Sequence, residues 1–312
     1  RLEMDLEERF SEGQIQLDER HFDAAVANFK RAKEIAQQLP GKHHLVQQVN
    51  DKLQLVAQLK LGEELHSLVE RLHHLYAAED MQPQEIQRLA ESCSAFWNER
   101  ERIQNLLEAN LGEPDRASLR NDLFEMGLMW ADLRVLTAKD RDKGEARRNV
   151  LLILDQMEKI FKTSPPLLLL RQRNAEALGL RDQAEVALRA YRQSKPTSAW
   201  DHLALGRFYL RPGPEQDLKV AADHFHNAAL VQPQNFWANY YEGVCAFRLK
   251  RFEDALSSLK ICVSLAPDSD DCRTNRDLAQ AELDKIKNGL REKLQGNKEG
   301  LELLDMLESK KR

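Results

Sequence analysis

Glycine and proline are scarce, with 13 and 10 in 312 residues, where ordinary proteins carry about 12% of the two together. Threonine, isoleucine and valine are also sparse. Strands and tight turns draw on those residues, whereas the abundant Leu, Ala, Gln, Glu, Lys and Arg favour helix. A β-sandwich, barrel or propeller is therefore excluded, and a doubly wound sheet is disfavoured. Long apolar runs are missing too. The longest, Val150 to Leu154 and Leu167 to Leu170, fall far short of the roughly 20 residues a membrane span needs, so no direct membrane insertion is expected. The N-terminus shows no signal-peptide pattern. It opens at Arg1, which reads as an excised fragment or a processed product. Cysteine is limited to Cys93, Cys245, Cys262 and Cys272, without a Cys-x-x-Cys pair. Buried reduced thiols and a cytoplasmic location are the expectation. No excess of positive charge exists: 46 Lys and Arg face 51 Asp and Glu, for a formal charge of −5, which disfavours a nucleic-acid groove. Charged residues at 31% and a mean hydropathy of −0.60 fit a core spread thinly along the chain.

Signatures of chemistry are absent as well. The sequence has no Gly-x-Ser-x-Gly, no phosphate-binding Gly-Lys-Ser/Thr loop and no dinucleotide fingerprint. Glu63-Glu64 and Asp270-Asp271 lie on polar faces, where charge is ordinarily just solvated. No catalytic residue, cofactor or metal is assigned.

What is present is helical period, interrupted briefly and at wide intervals. It predicts helices at 3–17, 22–39, 43–79, 83–110, 115–138, 144–162, 166–178, 181–194, 198–210, 216–232, 235–249, 252–266, 269–288 and 290–309. Short connections make neighbours antiparallel, so most helices pair as αα-hairpins. A repeat then appears. Ala221, Phe225, Ala228 and Pro233 are each followed 34 residues later by Ala255, Leu259, Cys262 and Pro267. From Gly13, the residues Phe22, Ala25, Phe29 and Ala32 follow at gaps of 9, 3, 4 and 3, and from Gly243 the residues Phe252, Ala255, Leu259 and Cys262 follow at the same gaps. Small residues are needed where two helices of a hairpin cross closely, and large ones fill the space between hairpins.

The segments EGQIQLDERHFDAAVANFKRAKEI, LALGRFYL with VAADHFHNAALVQP, and EGVCAFRLKRFEDALSSLKICVSLAP resemble tetratricopeptide repeats (TPRs) over roughly a third of the chain. The pattern departs at Pro40, which lies three residues late, and at Glu242, where an aliphatic is usual. Between 113 and 196 it is degenerate: Ala184, Leu188 and Pro196 keep part of it, without the small residues of the first helices. A looser resemblance, carried by the order of SAFWNERERI, LMWADLRV, RRNVLLILDQMEKIF and NFWANYYEGVCAFRLKRFEDAL, is to the region C-terminal to the kinase domain in bacterial TPR-containing serine/threonine protein kinases. No kinase signature occurs in this chain, so kinase activity would belong to the parent protein.

The fold expectation is an all-α, αα-hairpin solenoid with TPR-like repeats. It divides into an N-terminal hairpin at 1–41, a long helix and its partner at 42–112, degenerate hairpins at 113–196, two TPR repeats at 197–268, and capping helices at 269–312 that end in a polar helix from Leu301 to Arg312. In a TPR the first helix of each hairpin lines the concave groove. That places Trp200, Leu203, Arg207, Leu210 and Arg211 inward in one repeat, and Trp237, Tyr240, Val244, Phe247 and Arg248 in the next. Aromatics with arginine suit a protein or peptide ligand; the alternative is that they pack between hairpins, with Phe236 or Tyr241 taking the buried places. Leu61, Leu65, Leu68, Leu72 and Leu75 form a heptad seam, either for homodimerisation through the 43–79 helix or for packing within the chain. His66, Glu70 and His73 share a helix face beside His74, yet no further ligand is indicated and no metal is expected. His224 and His226 flank Phe225 and read as solvent-facing.

Overall fold

A computed structural model describes residues 2–41, 43–77, 82–108, 112–211, 216–295, 297, 298 and 306. Among them are fourteen α-helices, one short 3₁₀ turn at Asp140–Asp142, and no strand. They form two compact units, Arg1–Leu72 with Gln87–Trp130, and His73–Ile86 with Ala131–Arg312.

In the first unit, α1 (Leu2–Asp18) and α2 (Phe22–Gln38) form a hairpin. Its core of Ala25, Phe29, Ala32 and Ile35 continues into Val49 and Val56 of α3 (His43–Ala77). The heptad leucines Leu65, Leu68 and Leu72 are fully buried, so packing within the chain consumes that seam. The stretch expected as one helix over 83–110 is two, α4 (Pro83–Asn98) and α5 (Arg100–Glu108). Trp97 at the end of α4 meets Trp130 of α6 (Glu113–Thr137) with ring centroids 5.8 Å apart.

In the second unit, α7 (Lys143–Phe161) precedes three αα-hairpins and a last helix. The hairpins are α8 (Pro165–Ala177) with α9 (Arg181–Gln193), α10 (Ala199–Leu210) with α11 (Leu218–Val231), and α12 (Phe236–Arg248) with α13 (Phe252–Leu265). The last helix, α14 (Asp270–Lys293), is continuous where a break was expected near Gly289. A side chain added at Gly289 would meet nothing within 4 Å, so this glycine costs helix propensity only and does not end the helix. The expected polar helix at 301–312 lies outside the described residues except Met306.

The hairpins are TPR-like, and their own geometry shows it. A Cβ on Gly13 would come within 2.8 Å of Phe29, one on Gly206 within 2.5 Å of Phe225, and one on Gly243 within 2.6 Å of Leu259. Each glycine lets the second helix of its hairpin press a large side chain onto the first. Ala25, Ala32, Ala221, Ala228, Ala255 and Cys262 sit fully buried at the repeating small positions. Three hairpins also share one turn. Arg20, Gly179 and Lys250 adopt φ of 60°, 73° and 61°. The next amide donates back five residues: His21 to Gln16, Leu180 to Ala175 and Arg251 to Ala246, at 2.8, 2.9 and 2.8 Å. This is a helix C-terminal Schellman closure. It delivers the chain directly into α2, α9 and α13, none of which has a side-chain N-cap. At the start of α11, Asp217 accepts from the amides of Lys219 and Val220.

Candidate functional site

The candidate site lies within the second unit, on α10 and α12, the first helices of two successive hairpins. Ser198 and Asp201 close α10 with a reciprocal capping box, and Asn235 accepts from Ala238 N at 2.9 Å to start α12. These caps fix where Leu203, Arg207, Trp237 and Tyr240 point.

The chain itself meets these helices: His73 and His74, in the last turns of α3, pack against Trp237 and Tyr241 of α12. The His73 ring stacks on Trp237 with centroids 4.5 Å apart and planes 12° from parallel, and His74 meets the same indole edge-on at 4.9 Å. Tyr241 donates its hydroxyl to the His73 carbonyl at 2.8 Å, and that hydroxyl lies 3.2 Å from His73 Nδ1. Arg207 reaches the same Nδ1 at 3.3 Å. A guanidinium only donates, so Nδ1 is the acceptor there and the ring proton sits on Nε2. Arg211 pairs with Asp132 at 2.7 Å, Tyr76 ends 3.5 Å from Asp132, and His74 lies 3.3 Å from Asp271.

Of the residues the sequence pointed to, Leu203, Arg207, Trp237 and Tyr240 are buried, as are Leu210 and Val244. Trp200, Arg211, Phe247 and Arg248 are half-buried. Arg207 and Trp237 converge on the α3 turn. Phe247 does not: its ring meets Phe252 across its own hairpin turn, with centroids 5.4 Å apart. Tyr241 takes the central buried place, stacked on Phe225 at 4.9 Å. Burial pushes the Tyr240 hydroxyl above the ordinary tyrosine range, and Asn275 donates to it at 3.0 Å.

His73 and Asp132 are the participants the sequence did not single out for this face; Tyr241 takes the buried place it was offered as the alternative for. His73 and Tyr241 are 168 residues apart, and no local pattern signals such a contact. The histidines of α3 have separate partners. His66 pairs with Asp122 at 3.1 Å, while His73 lies in the stack on Trp237. Among the described residues, no three His, Cys, Asp or Glu side chains converge as a metal cluster. His224 is corrected: it is half-buried and lies 3.1 Å from His202, whereas His226 is exposed and pairs with Glu242.

A second concavity belongs to the first unit. It holds about 250 Å³ and is lined by Arg20, Glu63, His66, Asp115 and Asp122 among others. The hydrogen bond to Asp122 raises the His66 pKa above the histidine norm. Burial raises Asp122 above the carboxylate norm, an effect His66 offsets in part. The four cysteines are free and buried, and burial lifts the thiols of Cys93 and Cys245 to about 12. Neutral thiols of this kind are poor nucleophiles.

No helix among the described residues is long and apolar enough to cross a membrane. No protein-family model and no curated protein matches the chain. Among solved structures, the crystal structure of yeast Tom70 aligns over 99% of this chain and 77% of that one, at 11% identity and a TM-score of 0.24. The TPR-like assignment rests on the crossings and turns within the chain.

Proposed function

We propose that this chain is a non-catalytic protein-interaction scaffold whose partner surface is the inner face of its C-terminal repeats. The residues that would meet a protein or peptide partner are Trp200, Leu203, Arg207, Arg211, Trp237, Tyr240 and Arg248, without Phe247, whose ring packs on Phe252. One observation carries the reading: that face already grips a helical turn. It offers a flat indole for a ring, a tyrosine hydroxyl for a main-chain carbonyl, and an arginine for an acceptor. A partner of matching chemistry presents an aromatic or imidazole ring on a helical or extended peptide, with an acidic residue for Arg248. It gains the face by replacing His73 and His74.

Capture of partners from the native cell, by wild type, Arg248→Glu and His73→Ala, tests this. Arg248 is half-buried, so a thermal melt of Arg248→Glu accompanies the capture and separates lost folding from lost binding. The reading expects Arg248→Glu to recover less of an acidic partner and His73→Ala to recover more. Equal recovery by all three proteins contradicts it.

The finer assignment, to the C-terminal arm of a bacterial serine/threonine kinase in signalling, is supported by the order of sequence elements alone. The coding sequence upstream of Arg1 tests it, and a kinase domain there is the expected outcome. Self-association through α3 is the alternative role. The burial of Leu65, Leu68 and Leu72 within one chain weighs for a monomer, which sedimentation equilibrium would register.

A further inference from the structure

The hairpin α10/α11 holds a pair of histidines that none of the roles above uses. His202 Nδ1 and His224 Nδ1 face each other 3.1 Å apart. His202 stands next to Asp201 of the α10 capping box, and His224 stands next to the fully buried Phe225 on α11. Tyr209, two turns beyond His202, lies parallel to the His224 ring at 6.0 Å and 6°. Both imidazoles are thus held on rigid helices with their lone-pair edges converging, which is how a preformed chelate is built.

A single ion bound to two imidazoles at about 2.0–2.1 Å sets their nitrogens about 3.3–3.4 Å apart in a tetrahedral site, or about 2.8–3.0 Å apart at the right angle of a tetragonal one. The observed separation falls between the two. In the metal-free pair, one Nδ1 carries a proton and donates it to the other; to bind an ion, that ring carries its proton on Nε2 instead, with no net loss of a proton. Asp201 and Asp223 stand beside the two histidines and favour positive charge at the pair.

We propose that His202 and His224 chelate one borderline divalent cation, of the zinc, copper or nickel class, through their Nδ1 atoms. Imidazole selects these ions over calcium and magnesium, which want oxygen. No third protein ligand converges there among the described residues. The remaining coordination positions are left to water or to a side chain of a bound protein.

The test uses the whole chain and zinc alone. Histidine-selective ¹H–¹⁵N spectra of the wild type should show the Nδ1 signals of His202 and His224 shifting together and saturably with Zn²⁺, with no response to Ca²⁺. Calorimetry should find a single zinc equivalent, lost in His202→Gln and in His224→Gln, and kept in His226→Gln, whose imidazole sits on the exposed side of the same helix. The spectra need no variant, so misfolding of a substituted protein cannot imitate the result. Absence of saturable zinc binding in the wild type overturns the proposal. So do zinc shifts confined to other histidines, or full retention of binding in His224→Gln.

Discussion

The hairpins α12/α13 and α8/α9 share a turn but not a crossing. Both close with a left-handed residue, Lys250 in one and Gly179 in the other, followed by the same five-residue back-bond. Seven residues before that position, α12 has Gly243, against which Leu259 packs at a distance no Cβ would allow. The corresponding residue of α8 is Gln172, and the large residue opposite it, Leu188, is only half-buried. Turn geometry is therefore set locally, by how the first helix ends. Close approach of the two helices is set separately, by one glycine. A hairpin can keep the first device after losing the second, which is why the 113–196 region reads as degenerate in sequence while α8/α9 still folds as a repeat.

The sharpest way to break this comparison is to remove the large member of a crossing. Phe225 is fully buried between Gly206 and Tyr241, so Phe225→Ala should cost about 3–5 kcal/mol in urea unfolding. Next comes the small member. Gly243→Ala forces a Cβ toward Leu259 and should cost about 1–3 kcal/mol by overpacking, whereas Gln172→Ala should change stability by a few tenths at about the propensity difference. Equal losses at both positions would show that the glycine crossing is no special contact. The turn gives a smaller pair of opposite sign. Gly179→Ala should destabilise by about 1–2 kcal/mol because an L side chain resists that φ, while Lys250→Gly should be neutral or stabilising. Thermal melts of the two variants measure it.

The smallest effect concerns pH. The folded His224 pKa of about 4 lies below the ordinary histidine value of 6.5, so its contribution to stability is intact above about pH 6.5. It is lost as pH falls toward 4, where the unfolded chain binds a proton that the folded chain refuses. His202 and Tyr209 from α10, and Asp223 on α11, face or act on the ring, and its partial exposure limits the size of the effect. Melting temperature should fall between pH 7 and 4.5 more steeply in wild type than in His224→Gln.

Helix positions, the Gly13, Gly206 and Gly243 crossings, and the small residues on the second helices were legible in the sequence, because each depends on spacing within one hairpin. The break at Glu99 and the continuity through Gly289 were not. One falls where no proline or glycine marks it, and the other carries a glycine that costs propensity without ending the helix. Of the residues read as a groove, Leu203, Leu210, Trp237, Tyr240 and Val244 are buried in one core cluster with Phe225 and Leu259, the packing the sequence offered as the alternative. Their contact with α3 was not legible, since His73 reaches Trp237 and Tyr241 from the far end of α3. The His202–His224 pair escaped for a related reason: its members are 22 residues apart, on different helices whose rotation about their axes decides whether they meet.

A double-mutant cycle between His73 and Trp237 tests most directly that the inner face is closed by the chain's own helix turn. Unfolding free energies of His73→Ala, Trp237→Ala and the double variant give the coupling without requiring either single variant to be innocuous. A ring pair stacked at 4.5 Å should couple by about 0.5–1.5 kcal/mol. Additive losses, with coupling indistinguishable from zero, would contradict the seating of His73 on Trp237 and leave the inner face open.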